Sequence, residues 1–246
     1  MYWYMNLGQY GWLFYFLAIG LMIWSFIIQG RLKRLVKKYS EVPASSGKDA
    51  NTCVREMLQA NEVYGVTIQP VPGDMSDNYN PKNDTINLSE TSYGKNSITA
   101  IAIAAHECGH ACQAHSGMVM YKIRQIIAPA ANIMSKISVW ITVAGVVIMY
   151  AAARMQGGSD LGYLISTIGI TLYTVVVLFY LVTLPLERNA SKRGLQAMKE
   201  FGWVSDSQLK AAKKVLWAAG DTYAIALASS ALTLFRLLLM RGSRRK

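Results

Sequence analysis

The run from Ala100 to Gly117, AIAIAAHECGHACQAHSG, holds all three histidines of the chain: His106, His110 and His115. His106 and His110 bracket Glu107 in the pattern H-E-x-x-H. Positions i and i+4 of an α-helix share a face, so both imidazoles can reach one metal ion. Glu107, one residue on, comes close to that ion without ligating it and can take a proton from zinc-bound water. Zinc lowers the pKa of such a water to about 7, and the hydroxide then attacks a carbonyl that the metal also polarises. The spacing therefore points to zinc-assisted hydrolysis, with His106 and His110 as ligands and Glu107 as general base.

A helix carrying this motif needs a framework, and the composition says where the framework lies. Of 246 residues, 52% are hydrophobic and 16% charged, where soluble domains carry roughly 25% charged residues; mean hydropathy is +0.22. Met1 to Gly30 contains no charge, and its centre from Gly11 to Ile28 is long enough to span a bilayer. It lacks the basic n-region and cleavage site of a signal peptide and reads as a retained anchor. A second apolar run covers Ile137 to Ala153, and a third, Leu161 to Leu186, is uncharged for 26 residues. A fourth, Tyr223 to Phe235, lasts only 13 residues before Arg236. It is expected to be buried against other helices or to lie at the interface.

The net charge of +11 could suggest nucleic acid, but its distribution argues against that. Arg31, Lys33, Arg34, Lys37 and Lys38 follow the first span, Arg188, Lys192 and Arg193 follow the third, and Arg241, Arg244, Arg245 and Lys246 close the chain. Only Arg154 lies between spans two and three. The positive-inside rule then places the N-terminus outside, residues 31–125 in the cytoplasm, the 154–160 loop outside and residues from Glu187 onward inside. Cys53, Cys108 and Cys112 fall on the cytoplasmic side, where thiols stay reduced. Cys108 and Cys112 each lie two residues after a motif histidine, about 200° round the helix, and so face the core rather than the metal.

A catalytic zinc takes three protein ligands and keeps an open position. The longer motif H-E-x-x-H-x-x-G-x-x-H is absent, with Gln113 and Ser116 at its last two fixed positions. His115 is five residues beyond His110, about 140° off the ligand face, and reads as a surface residue or one that supports the site from outside the ligand set, rather than as a ligand. The third ligand is then a distant carboxylate on the same side of the membrane. Asp160 is excluded by topology, leaving Glu187, Glu200, Asp206 and Asp221. Glu187 stands out, because the hairpin of spans two and three returns the chain there to the surface it left.

Between the first two spans the pattern is helix, strand, strand, helix. Asp49 to Tyr64 reads as an amphipathic helix, Val66 to Val71 as an edge strand, and PGDMSDNYNPKND as turn chemistry. Thr85 to Ser89 alternates as a half-buried strand should, and a helix from about Ser97 to His115 carries the motif. The boundaries expected are an anchor over 1–30, a cytoplasmic domain over 31–125, a transmembrane hairpin over 126–186, and a third-ligand segment with an apolar helix over 187–246.

The HECGHACQ helix, the preceding DNYNP…TINLS segment and the LPLERNAS return resemble the bacterial neutral zinc metallopeptidases of the YugP-like family. These are membrane proteins distantly akin to the heat-shock and CAAX-type membrane zinc peptidases. The resemblance implies a mainly α membrane protein, three to four membrane helices with a small α+β zincin-like cytoplasmic domain. It implies Zn2+ held by His106, His110 and Glu187, Glu107 as base, and a peptide lying extended beside the Thr85–Ser89 strand. The sequence departs from the family pattern at Asn189, where Asp is usual, and at Asn78 and Asn80.

The reading that follows is a membrane-bound zinc endopeptidase facing the cytoplasm, with protein or peptide substrates, membrane proteins among them. The bilayer is its other partner. A membrane adaptor with a structural zinc is the alternative, but such a site has no use for Glu107. An intramembrane protease fits poorly, because only ten uncharged residues, Asn96 to Ala105, precede the motif and no Asp lies within the apolar runs. Arg188, Arg193 and Tyr223 are candidates for stabilising the oxyanion.

Overall fold

The computed structural model describes residues 2–155 and 160–242, with side chains from 12 to 155 and 160 to 241. Most of the expected 154–160 loop, and Arg244, Arg245 and Lys246, lie outside the described residues. The elements are α1 (Tyr2–Ser40), α2 (Ala50–Ala60), β1 (Thr67–Pro70), β2 (Asn78–Asn80), β3 (Thr85–Leu88), α3 (Ile98–His115), α4 (Val119–Arg154), α5 (Asp160–Glu200) and α6 (Asp206–Gly242).

Among the described residues, four helices are long and apolar enough to cross a membrane: α1 from Trp12 onward, α4, α5 and α6. The fourth apolar run, short in sequence, belongs to a helix of 37 residues. Arg236, which interrupts that run, sits 5.2 Å from the ring of Tyr15, and Arg241 lies 5.4 Å from the ring of Tyr163. Both cations are thus held over aromatic faces, which attract them.

The chain divides into two compact units. One gathers Met1–Phe26, Ile123–Thr183 and Tyr223–Lys246. Within it α4 and α5 approach backbone to backbone. A Cβ on Gly145 would stand 2.7 Å from the Gly162 carbonyl oxygen, and one on Gly169 would stand 2.6 Å from the Thr142 nitrogen. Small residues permit such contact, the usual means by which helices associate in lipid. Outward-facing Trp140, Leu161, Leu164, Leu178 and Leu181 are exposed, an apolar surface suited to a bilayer.

The other unit gathers Ile27–Lys122 and Leu184–Thr222. Its core joins Val54, Met57 and Leu58 of α2, Ile86 and Leu88 of β3, and Ile101, Ala104 and Cys108 of α3. Met198, Trp203, Ala212 and Leu216 come from the later segment. Residues after 184 therefore complete a core that the preceding portion is too small to build alone. Trp203 is fully buried, and its Nε1–H donates to Glu56 Oε2 at 2.8 Å. All three cysteines are free and buried.

The sheet has the order β1-β3-β2, with β1 parallel and β2 antiparallel to β3. Two corrections follow. The stretch read wholly as turn contains the edge strand β2. β3, expected at a sheet edge and half-buried, is central and buried at all four residues. Alternation does not report this, because the buried Asn87 finds its partners on both neighbouring strands: Gln69 Nε2 donates to its Oδ1 at 2.7 Å, and its Nδ2 donates to Asn78 Oδ1 at 3.3 Å.

Candidate metal centre

Ser97 opens α3 by accepting the Ala100 N–H at 3.1 Å, an N-cap that satisfies a donor the helix itself cannot. The helix then runs through small apolar residues, Ala100, Ile101, Ala102, Ala104 and Ala105, all buried. Its small residues let α5 come close. A Cβ on Gly109 would lie 2.7 Å from the Ala190 carbonyl oxygen, and one on Gly194 would lie 3.0 Å from Ala105 C. Ala105 with Gly109, and Ala190 with Gly194, are i, i+4 pairs that face each other across the crossing. The neighbouring positions, His106 and His110 on one helix and Glu187 on the other, thereby meet.

His106, His110 and Glu187 form the group among the described residues that could hold a metal ion, with ligand atoms all within 4.8 Å of one another. Glu187 Oε2 lies 3.2 Å from His106 Nε2, and Oε1 lies 3.5 Å from His110 Nε2. Tetrahedral zinc with bonds of about 2.1 Å separates its ligands by roughly 3.4 Å, close to both carboxylate–imidazole distances. Glu187 and His110 are buried.

The far side of each imidazole decides what faces the centre. Gln113 Nε2 donates to the Leu186 carbonyl at 2.9 Å and to Asn189 Oδ1 at 3.0 Å. Its Oε1 is therefore the acceptor that stands 2.9 Å from His110 Nδ1, and Nδ1 carries the proton. In the neutral imidazole the lone pair of Nε2 then faces the buried Glu187 carboxylate, an arrangement of converging acceptors that a cation satisfies. Ser191 Oγ stands 3.1 Å from His106 Nδ1 and can accept its proton in the same way. The donor set and its spacing fit zinc.

Glu107 is buried beside this group, and Tyr79 N–H donates to its Oε2 at 2.9 Å. Burial pushes its carboxyl up to about 7; His106 and the Tyr79 N–H oppose the rise, while Glu187 and Asp77 add to it. A carboxyl poised near neutrality is suited to giving and taking protons at physiological pH. His115 lies apart from the centre, with Nε2 3.0 Å from Asp84 Oδ2. Cys108 and Cys112 pack in the core.

Of the other candidates, Asp221 pairs with Arg188 at 2.7 Å, and the Arg188 guanidinium lies 4.4 Å from the Trp217 ring. Arg193 Nε donates to Asn189 Oδ1 at 3.1 Å, and Tyr223 belongs to the other unit. Asn189 Oδ1 thus accepts from Arg193 and Gln113 together. Sequence reasoning missed Gln113, Ser191 and Tyr79. Helical spacing held a signal for two of them, Gln113 at i+3 from His110 and Ser191 at i+4 from Glu187; Tyr79 had none, because only tertiary folding brings its backbone to Glu107.

No solved structure matches the chain. A protein of Bacillus subtilis (strain 168) described as "Putative membrane protease YugP" is 36% identical over 227 residues, which cover 92% of this chain and 94% of that protein. The family profile described as "Putative neutral zinc metallopeptidase" matches residues 14–242. The chain belongs to that family of neutral zinc metallopeptidases.

Proposed function

We propose that the protein is a membrane-bound zinc endopeptidase in which His106, His110 and Glu187 hold the metal and Glu107 is the general base. The observation that carries this reading is the convergence of two imidazole Nε2 atoms and one buried carboxylate beside a second carboxyl held near neutrality. Zinc bound there supplies Lewis acidity, polarising a peptide carbonyl and acidifying water. Gln113 and Ser191 hold the two imidazoles in the ligating tautomer. Glu107 takes a proton at one carboxyl oxygen while the other stays on the Tyr79 N–H, and later gives that proton to the leaving amine. Burial of the site keeps both carboxyls away from bulk water.

Substrates on this reading are membrane or membrane-adjacent proteins, and the active site faces the cytoplasm. The family, the name of the Bacillus relative and the four apolar helices support the membrane setting; the basic clusters in the C-terminal parts of α1 and α5 support the orientation. The peptide, expected beside Thr85–Ser89, is assigned instead to the edge strand β2, because β3 has both edges paired and an added strand needs a vacant one. Purified full-length protein, assayed for zinc content and cleavage of casein, tests the proposal. Glu107→Gln is expected to keep its zinc and lose cleavage by about 10²–10⁴-fold, and Glu187→Ala to lose most of its zinc. Full cleavage by Glu107→Gln overturns the base assignment; full zinc in Glu187→Ala overturns the ligand assignment.

A further inference from the structure

Near the centre, one set of polar contacts that uses none of the metal-ligand side chains closes on itself through the backbone of α3. His115 ends α3, and its Nε2 lies 3.1 and 3.0 Å from the two oxygens of Asp84. Asp84 Oδ1 also accepts from the Tyr79 hydroxyl at 2.7 Å. Tyr79 N–H donates to Glu107 Oε2 at 2.9 Å. Glu107 stands on the same helix as His115, about two turns earlier. The ring therefore runs from Glu107 along α3 to His115, across to Asp84, on to Tyr79 and back to Glu107.

We propose that His115 and Asp84 are positioning residues for Glu107. They clamp the edge strand β2 to α3, so that Tyr79 N–H stays on Oε2 and proton transfer is assigned to Oε1. This inference rests on the reading of Glu107 as base.

Three features of the ring support a positioning role. β2 is three residues long and paired on one side only, so its own ladder bonds hold it weakly, and short edges open readily. Asp84 occupies the left-handed region with φ 52°, a conformation that Asp tolerates better than most residues but that persists where the surroundings enforce it. In that conformation it closes the β2–β3 turn and sets its carboxylate between His115 and Tyr79. The His115–Asp84 pair is also one-third exposed, and exposed pairs add little to stability. Its contribution is to geometry, which means that it can be removed without unfolding the chain.

The test uses full-length protein loaded with zinc. His115→Ala, His115→Gln, Tyr79→Phe and the double variant Tyr79→Phe/His115→Ala are compared with the unmodified chain. Zinc content, kcat and KM on casein peptides, and amide hydrogen exchange over residues 78–80 are measured. His115→Ala is expected to keep its zinc, exchange at Tyr79 about tenfold faster, and lose about tenfold in kcat with KM nearly unchanged. His115→Gln restores a donor to Asp84 and recovers most of both. The double variant is no worse than Tyr79→Phe, because both changes cut the same ring. Unchanged exchange in His115→Ala overturns the proposal, as does loss of zinc, which would make His115 part of the metal site. Should the unmodified, zinc-loaded protein cleave nothing, the peptidase reading fails, and the exchange measurement still decides whether the ring clamps Tyr79.

Discussion

At Glu107 burial works against the charged form of a carboxyl that stands beside His106 and the Tyr79 N–H. A carboxyl pushed up to about 7 from an ordinary 4.5 holds its proton more tightly folded than unfolded. Its contribution to stability is therefore fully present below pH 4.5 and is lost as pH rises through 7. The loss is on the order of 3 kcal/mol, the free-energy equivalent of that shift. In the metal-free protein Glu107→Gln should melt like the unmodified chain at pH 4.5 and at a higher temperature at pH 8. A melting gap of the same size at both pH values would show that burial does not raise this carboxyl. Spacing alone marked His106, Glu107 and His110. It could not mark Gln113 as the partner of His110 Nδ1, since that assignment depends on where Gln113 sends its own N–H groups.

The crossing of α3 and α5 is what turns a two-histidine motif into a three-ligand centre. Gly109 is one of the two unspecified positions inside H-E-x-x-H, and here its missing Cβ sets how near Glu187 can come. Gly109→Ala must push α3 and α5 apart at Ala190, whose carbonyl oxygen would lie 2.7 Å from the new methyl. Overpacking of this kind costs about 1–3 kcal/mol. The variant should melt lower and bind zinc more weakly, seen by calorimetry and by competition with a chelator. Gly194→Ala, with its nearest contact at 3.0 Å, should do the same to a smaller degree. Normal zinc affinity in Gly109→Ala would mean that the crossing does not set the Glu187 position. Among the elements, the long helices and the starts of α2 and α3 near Asp49 and Ser97 were legible in sequence because helical period is local. The strand β2 was not, because three residues amid Asn, Pro and Asp carry no alternation, and they are ordered by pairing with Asn87, Ile86 and Thr85 of β3.

Four apolar helices of 29 to 41 residues among the described residues leave an orientation that labelling can decide, and the basic clusters after the first and third apolar runs predict the cytoplasmic side for the candidate centre. The native cysteines are all buried, so background reaction is low. Ser45→Cys should resist a membrane-impermeant maleimide in intact cells and react after permeabilisation, whereas Asp160→Cys should react in intact cells. The reverse pattern would place the candidate centre outside. The fourth helix shows where reading hydropathy runs short. Arg236 breaks the apolar run in sequence, but in the folded chain it lies over Tyr15, two hundred residues away, and the helix continues to Gly242.

From the sequence alone came the chemistry of the motif, the apolar helices, the basic clusters and the nomination of Glu187. Each of these is carried by local spacing or composition, which a linear chain displays in full. The reach of Glu187 to both imidazoles, the tautomer held by Gln113, the central place of β3 and the ring from His115 to Glu107 were settled by folding. They depend on which backbones approach closely enough to touch, and at the centre that approach rests on Gly109 and Gly194, two residues whose contribution is the absence of a side chain.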